Sequence, residues 1–144
     1  MSDPYDLQRF VAAQNEGGTY GRALAELRAG RKTSHWMWFV FPQIAGLGSS
    51  PMAQRYAISS LDEARAYLAH PVLGDRLRES AHALTRLDTR SPEEVLGGID
   101  ALKLRSSMTL FLRASGGGTT FDAVLARFYR GEPDPATDER LRPA

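Results

Sequence analysis

Apolar residues recur along this chain at intervals of three and four, the spacing of one face of a helix. Leu7, Phe10, Val11 and Gln14 fall on one side of a helix predicted over 4–15, and that side turns inward. Leu73, Leu77, Ala81 and Leu84 form a second stripe that reaches Asp88 and predicts a long helix over 71–88. Further helices are predicted near 20–29, 51–58, 61–69, 92–96, 99–114, 120–130 and 135–141. Alternation of period two is absent except over Trp36–Phe41, where a short strand and a helical turn read equally well.

Punctuation supports these boundaries. Asp3-Pro4, Ser50-Pro51, His70-Pro71, Ser91-Pro92 and Asp134-Pro135 each place a capping type before a proline. Proline loses nothing at a first helical position, and Ser or Asp before it accepts free amides of the first turn. Ser60-x-x-Glu63 and Ser91-x-x-Glu94 have capping-box spacing. Gly30, Gly97 and Gly131 stand where left-handed terminators belong, and Gly116-Gly117-Gly118 reads as an internal loop. The expected architecture is an all-α, compact bundle of about six to nine helices, with 1–144 forming a single domain.

Composition changes that picture little. The 42% hydrophobic and 24% charged content is that of an ordered globular chain. A net charge of +1, from 18 basic and 17 acidic residues, argues against dedicated DNA binding or a membrane-surface role. No apolar run approaches the about 18 residues of a membrane span, and MSDPYDLQRF is no signal peptide, so the chain is placed in the cytoplasm. Cysteine is absent, which removes disulfides, thiolate metal sites and a cysteine nucleophile. Three histidines, His35, His70 and His82, make no metal site on their own, and His70 reads as a junction residue. No phosphate loop, dinucleotide fingerprint or nucleophile elbow is present, so no cofactor is expected. One bias stands out: Lys32 and Lys103 are the only lysines among the 18 basic residues.

Candidate chemistry gathers in three places. The run His35-Trp-Met-Trp-Phe-Val-Phe-Pro-Gln43 follows Arg31 and Lys32. Trp36 and Trp38 are either core or the wall of a pocket; beside cations, an exposed indole suits stacking on a flat anionic ligand, with Gln43 orienting it. Gly46-Leu-Gly48-Ser49-Ser50-Pro51 enters a helix, where glycines allow close approach and free amides attract anions. A plain turn capped by Ser50 accounts for the same residues. Within 99–114, Asp100, Lys103 and Ser107 share a sector of about 60°, with Ser106 beside them. That segment is apolar around its axis, which marks a buried helix whose charges need partners. Asp100 and Lys103 are then either a structural pair or a functional one, with Asp100 or His35 moving a proton and Lys103 holding an anion.

The pattern Asp6-Leu-x-x-Phe10-Val-x-Ala-Gln14, Gly30-Arg-Lys-x-Ser-His-Trp-Met-Trp-Phe-x-Phe-Pro-Gln43 and Gly46-Leu-Gly-x-Ser50 resembles a bacterial family catalogued as domain of unknown function 1810. The resemblance continues through Tyr56-Ala-Ile-Ser59, Glu63-Ala64, Tyr67-Leu68 and His70-Pro-Val-Leu-Gly74-x-Arg-Leu77. Asp100-x-x-Lys103-Leu-x-Ser-Ser-Met-Thr-Leu-Phe111 and Tyr129-x-Gly131-x-x-Asp134-x-x-Thr137 extend it over nearly the whole chain. It implies a small, mainly helical fold without an established activity. Members are often labelled calpastatin, a disordered inhibitor; the globular composition here rejects that label.

Two classes of function stand at this level. One is a binding protein or small enzyme for a phosphorylated or nucleotide-like anion, built from Arg31, Lys32, His35, Trp36, Trp38, Gln43, Gly48, Ser49, Asp100, Lys103, Ser106 and Ser107. Its alternative form is an N-glycosidase acting on ADP-ribose-like compounds, suggested by a loose likeness in element order around Glu63-Ala-x-x-Tyr67. The other class is a partner-binding or structural helical module. Oligomeric state is left open.

Overall fold

Side chains that accept first-turn amides set several of the helix starts. Ser50 Oγ accepts from the Ala53 amide at 3.1 Å and Ser60 Oγ from Glu63 at 3.1 Å. Ser91 Oγ accepts from Glu94 at 3.2 Å, and Asp134 Oδ2 from Thr137 at 3.2 Å. The computed structural model describes residues 3–117 and 119–142. Along them run α1 (Gln8–Asn15), a 3-10 turn (Glu16–Gly18), α2 (Thr19–Ala29), α3 (Met37–Val40), α4 (Pro51–Arg55) and α5 (Leu61–Ala69). These are followed by α6 (Leu73–Thr85), α7 (Pro92–Leu96), α8 (Gly98–Ser115), α9 (Thr120–Tyr129) and α10 (Pro135–Leu141). The described residues are all-α and contain no strand. Gly118 of the glycine run lies outside them.

α8 is the axis of the packing. It contacts α5, α7, α9 and α10, while α6 lies against α2, α5 and α9. Leu104, Met108, Leu110 and Phe111 are fully buried along α8, as its all-round apolar pattern predicts. Its first turn departs from that rule: Ile99 is 73% and Leu102 69% exposed.

Two predicted starts shift by local capping. α1 begins at Gln8 rather than Pro4, because Asp6 takes φ 52° and interrupts the helical path. The Asp3 carboxylate instead accepts the Leu7 and Gln8 amides at 2.8 and 3.0 Å. α6 begins at Leu73 rather than 71, where His70 Nδ1 accepts from Val72 and Leu73 at 3.1 and 3.2 Å. His70 is thus the junction residue its position suggests. The ambiguous Trp36–Phe41 run is a single helical turn, closed by Val40 N–H to Trp36 O at 3.1 Å. Extended pairing among the described residues amounts to one bridge, Ile44 with Ile58, with 2.8 Å bonds from Ile58 N–H to Gln43 O and from Ala45 N–H to Ile58 O.

Glu26 organises the segment between α2 and α3. Gly30, at φ 76°, ends α2: its amide donates to Leu27 O at 3.1 Å, and the Arg31 amide to Glu26 O at 3.0 Å. The chain then folds back over the buried Glu26 carboxylate. Thr33 N–H donates to it at 2.8 Å, Ser34 N–H at 3.0 Å and Trp36 Nε1 at 2.9 Å, and the Ser34 hydroxyl joins them. Burial alone would raise its pKa. The bonds from Ser34, Thr33 and Trp36 outweigh that and hold it at about 2. α3 is then fixed from the other side, where Gln14 Nε2 donates to Phe39 O at 2.7 Å and Arg76 Nη1 to Gln14 Oε1 at 3.2 Å.

Glu26→Gln puts an amide where only an acceptor fits, and should cost about 1–3 kcal/mol. Because the folded-state pKa is depressed, Glu26's contribution is complete above its ordinary value of 4.5 and fades as pH falls towards about 2. Urea unfolding across that range should therefore show the wild-type advantage over Glu26→Gln shrinking as pH falls.

Candidate functional site

The two lysines of the chain meet on one carboxylate. Lys32 follows the α2 turn, and its amide donates to Val95 O of α7 at 2.8 Å, which aims the side chain at the start of α8. Its Nζ lies 3.0 Å from Asp100 Oδ2, while Lys103 Nζ lies 3.6 Å from Asp100 Oδ1. Each ammonium also faces an indole. Lys32 Nζ is 5.2 Å from the Trp36 ring centroid and Lys103 Nζ 5.4 Å from that of Trp38. Lys32 is the deeper of the two, its side chain 9% exposed against 24% for Lys103.

Lys103 and Trp38 wall a cavity of about 210 Å³, with Met37, Phe41, Ile44 and Tyr56 behind them and Gln43, Gln54 and Gly48 at its rim. The bridge between Ile44 and Ile58 closes it by drawing 43–45 over 56–58. A shallower groove of about 330 Å³ adjoins it. The two share Gln43, Gly48 and Lys103, and the groove's walls include Leu47, Ile99, Leu102, Ser106 and Ala136.

The predicted candidates separate on this geometry. Trp38, Gln43, Gly48 and Lys103 come together at the cavity, with Asp100 and Lys32 tied to Lys103. Trp36 is fully buried and bonded to Glu26, so it is core. Arg31, His35 and Ser49 are exposed and do not line the cavity. Ser106 lines the groove, its hydroxyl 2.9 Å from Asp134 Oδ2. Ser107 is fully buried, and its hydroxyl finds no hydrogen-bond partner.

The glycine turn has a packing reason. A Cβ on Gly48 would stand 2.6 Å from the Ala53 Cβ, and Gly46, at φ 97°, lies against the Arg140 guanidinium. The Ala53 amide is taken by Ser50, so this turn is a lip of the cavity.

Met37, Phe41, Gln54 and Tyr56 line the cavity without a chemical signature in the sequence. The available signal is spacing: Met37 and Phe41 are four apart, as on one side of a helical turn. Nothing local brings Tyr56 to them. No group of three or more His, Asp or Glu side chains among the described residues is placed to hold a metal. No helix among them is long and apolar enough to cross a membrane.

The molecule is thus an all-α protein with an aromatic cavity whose mouth carries a cationic cluster. It belongs to the DUF1810 family, described as "Protein of unknown function", whose model matches residues 4–141. A similar solved structure is the crystal structure of the conserved hypothetical protein Rv1873 from Mycobacterium tuberculosis. It is 54% identical, covers 99% of this chain and 100% of its own, and superposes with a TM-score of 0.94. No curated protein matches.

Removal of Asp100 and removal of Lys103 should differ. Asp100→Asn leaves the nearly buried Lys32 without its carboxylate, and should cost on the order of 2 kcal/mol, between the exposed and buried limits for ion pairs. Lys103→Met leaves the Lys32–Asp100 pair intact, and should cost less than about 1 kcal/mol. Chemical denaturation of the two variants measures the contrast.

Proposed function

We propose that this protein binds a small anion that carries a flat ring, of the phosphorylated or nucleotide-like class, with the ring beside Trp38 and the anionic group on Lys103. Charge carries this reading: two ammonium groups share the single Asp100 carboxylate, so one positive charge remains at the cavity mouth. Lys103, with the longer contact and the greater exposure, is the cation free to exchange its partner. Gln43 stands beside it, and its side-chain amide has no hydrogen-bond partner among the described residues. It supplies a second, orienting donor. The apolar walls displace water, which strengthens an ion contact at Lys103 relative to the open surface.

Binding fits this site better than catalysis. Among the described residues, no carboxylate or imidazole lines the cavity. Asp100 is held as a counter-ion, and His35 lies outside. Cleavage of an N-glycosidic bond builds positive charge on the sugar, which glycosidases commonly meet with a carboxylate. The cavity also falls below the roughly 300–1,000 Å³ of sites that engulf drug-sized ligands, so it admits the ring and leaves the remainder outside.

Titration with phenyl phosphate and with adenosine monophosphate at low salt tests the reading through tryptophan fluorescence. Trp36 is sealed, so the response should come from Trp38 and vanish in Trp38→Phe. Lys103→Met should weaken binding by about tenfold or more, the value of a charge-assisted contact. Added salt should weaken it further in the wild type. A wild type unresponsive to both probes would favour the structural-module class.

A further inference from the structure

We propose that the ligand is amphiphilic, with an alkyl tail that leaves the anionic group at Lys103 and runs along the groove over Leu102 and Ile99. This rests on the reading of Lys103 as the anion site and adds a second half to it. The cavity and the groove share Gln43, Gly48 and Lys103, so an anion on Lys103 has apolar space on both sides. Ile99 and Leu102 belong to an otherwise buried helix, yet they are the two large apolar side chains left most open on the described surface. A single exposed leucine is ordinary. A pair spaced three apart, on the bank of a groove that starts at an unneutralised cation, is a place for a tail.

Beyond Gln43 and Lys103 at its shared end, the polar side chains of the groove are engaged with the protein itself. The Ser106 hydroxyl and the Asp134 carboxylate bond each other at 2.9 Å, and Asp134 also accepts the Thr137 amide and hydroxyl. The Arg105 guanidinium donates to Glu132 O at 3.0 Å and Pro133 O at 2.9 Å. Ser106 and Asp134 are thus turned towards each other and not towards the groove. An alkyl chain needs only apolar cover, which Leu47, Ile99, Leu102 and Ala136 provide. The ligand that uses all of this has a flat ring, one anionic group and an alkyl arm, in that order.

Isothermal titration with phenyl methyl phosphate and phenyl hexyl phosphate tests the order, since both are monoanions with the same ring. Wild-type protein, Lys103→Met and the double variant Ile99→Ser/Leu102→Ser are compared below the aggregation threshold of the hexyl ester. The hexyl ester should bind the wild type about tenfold tighter or more, because its added methylenes become partly covered. That advantage should disappear in the double variant, whose two sites are exposed and whose binding of the methyl ester should be unchanged. Equal affinity of the two esters in the wild type, or an advantage that survives in the double variant, overturns the tail while leaving the Lys103 site intact. Failure of both esters to bind, or binding indifferent to Lys103→Met, overturns the Lys103 reading and the tail with it.

Discussion

The buried Glu26 carboxylate is the contact on which the placement of the site depends. Without it, residues 33–36 have no reason to fold back over α2, and a fully buried indole N–H has no acceptor. A buried charge is tolerable only when donors surround it, and four do. The consequences run in both directions along the chain. On one side Lys32 is held at the start of α8; on the other, α3 is set with Trp36 inward and Trp38 at the cavity. The buried contact between Glu26 and Trp36 thereby fixes a half-buried cavity wall at Trp38.

Asp100 then decides what kind of site this is. A carboxylate with one cation makes a neutral pair, of modest value where it is partly exposed. With two cations it leaves a residual charge, located by the less buried partner. The contacts of 3.0 and 3.6 Å, with deeper burial at the shorter one, distinguish a close, nearly buried cation at Lys32 from a looser, more exposed one at Lys103. Arginine would serve less well at Lys103. Its broad, always forked guanidinium would hold Asp100 bidentately instead of leaving a compact charge free to turn towards the cavity. On the proposed reading, that is a physical reason for lysine at position 103 in a chain otherwise reliant on arginine.

Much of the fold is legible in the sequence. The caps Ser50, Ser60, Ser91 and Asp134 act through bonds to residues three positions on, so sequence alone contains both partners. The stripe Leu73, Leu77, Ala81 and Leu84 is buried for the same reason: helical period and apolar type are local properties. The starts of α1 and α6 differ from the pattern because a local acceptor competes, Asp3 in one case and His70 in the other. α4 and α6 also stop short of the predicted 58 and 88, at Arg55 and Thr85, and Asp88 is exposed beyond the helix. The spacing of Asp100 and Lys103 likewise announced their contact.

What the sequence by itself determined, then, was the all-α class, the presence of most of the helices and the residues from which a site could be built. What only the tertiary structure decided was which of them meet. HWMWFVFPQ contains no instruction to bury Trp36 and leave Trp38 at a cavity, because that choice depends on Glu26, ten residues earlier, accepting one indole and not the other. Lys32 and Lys103 are seventy-one positions apart, and their shared carboxylate exists only once α7 and α8 pack beside the α2 turn. Tyr56 reaches the cavity through the single bridge between Ile44 and Ile58. Local pattern is set by bonds along the chain; a site is set by bonds across it, and those are formed only when the helices have found one another.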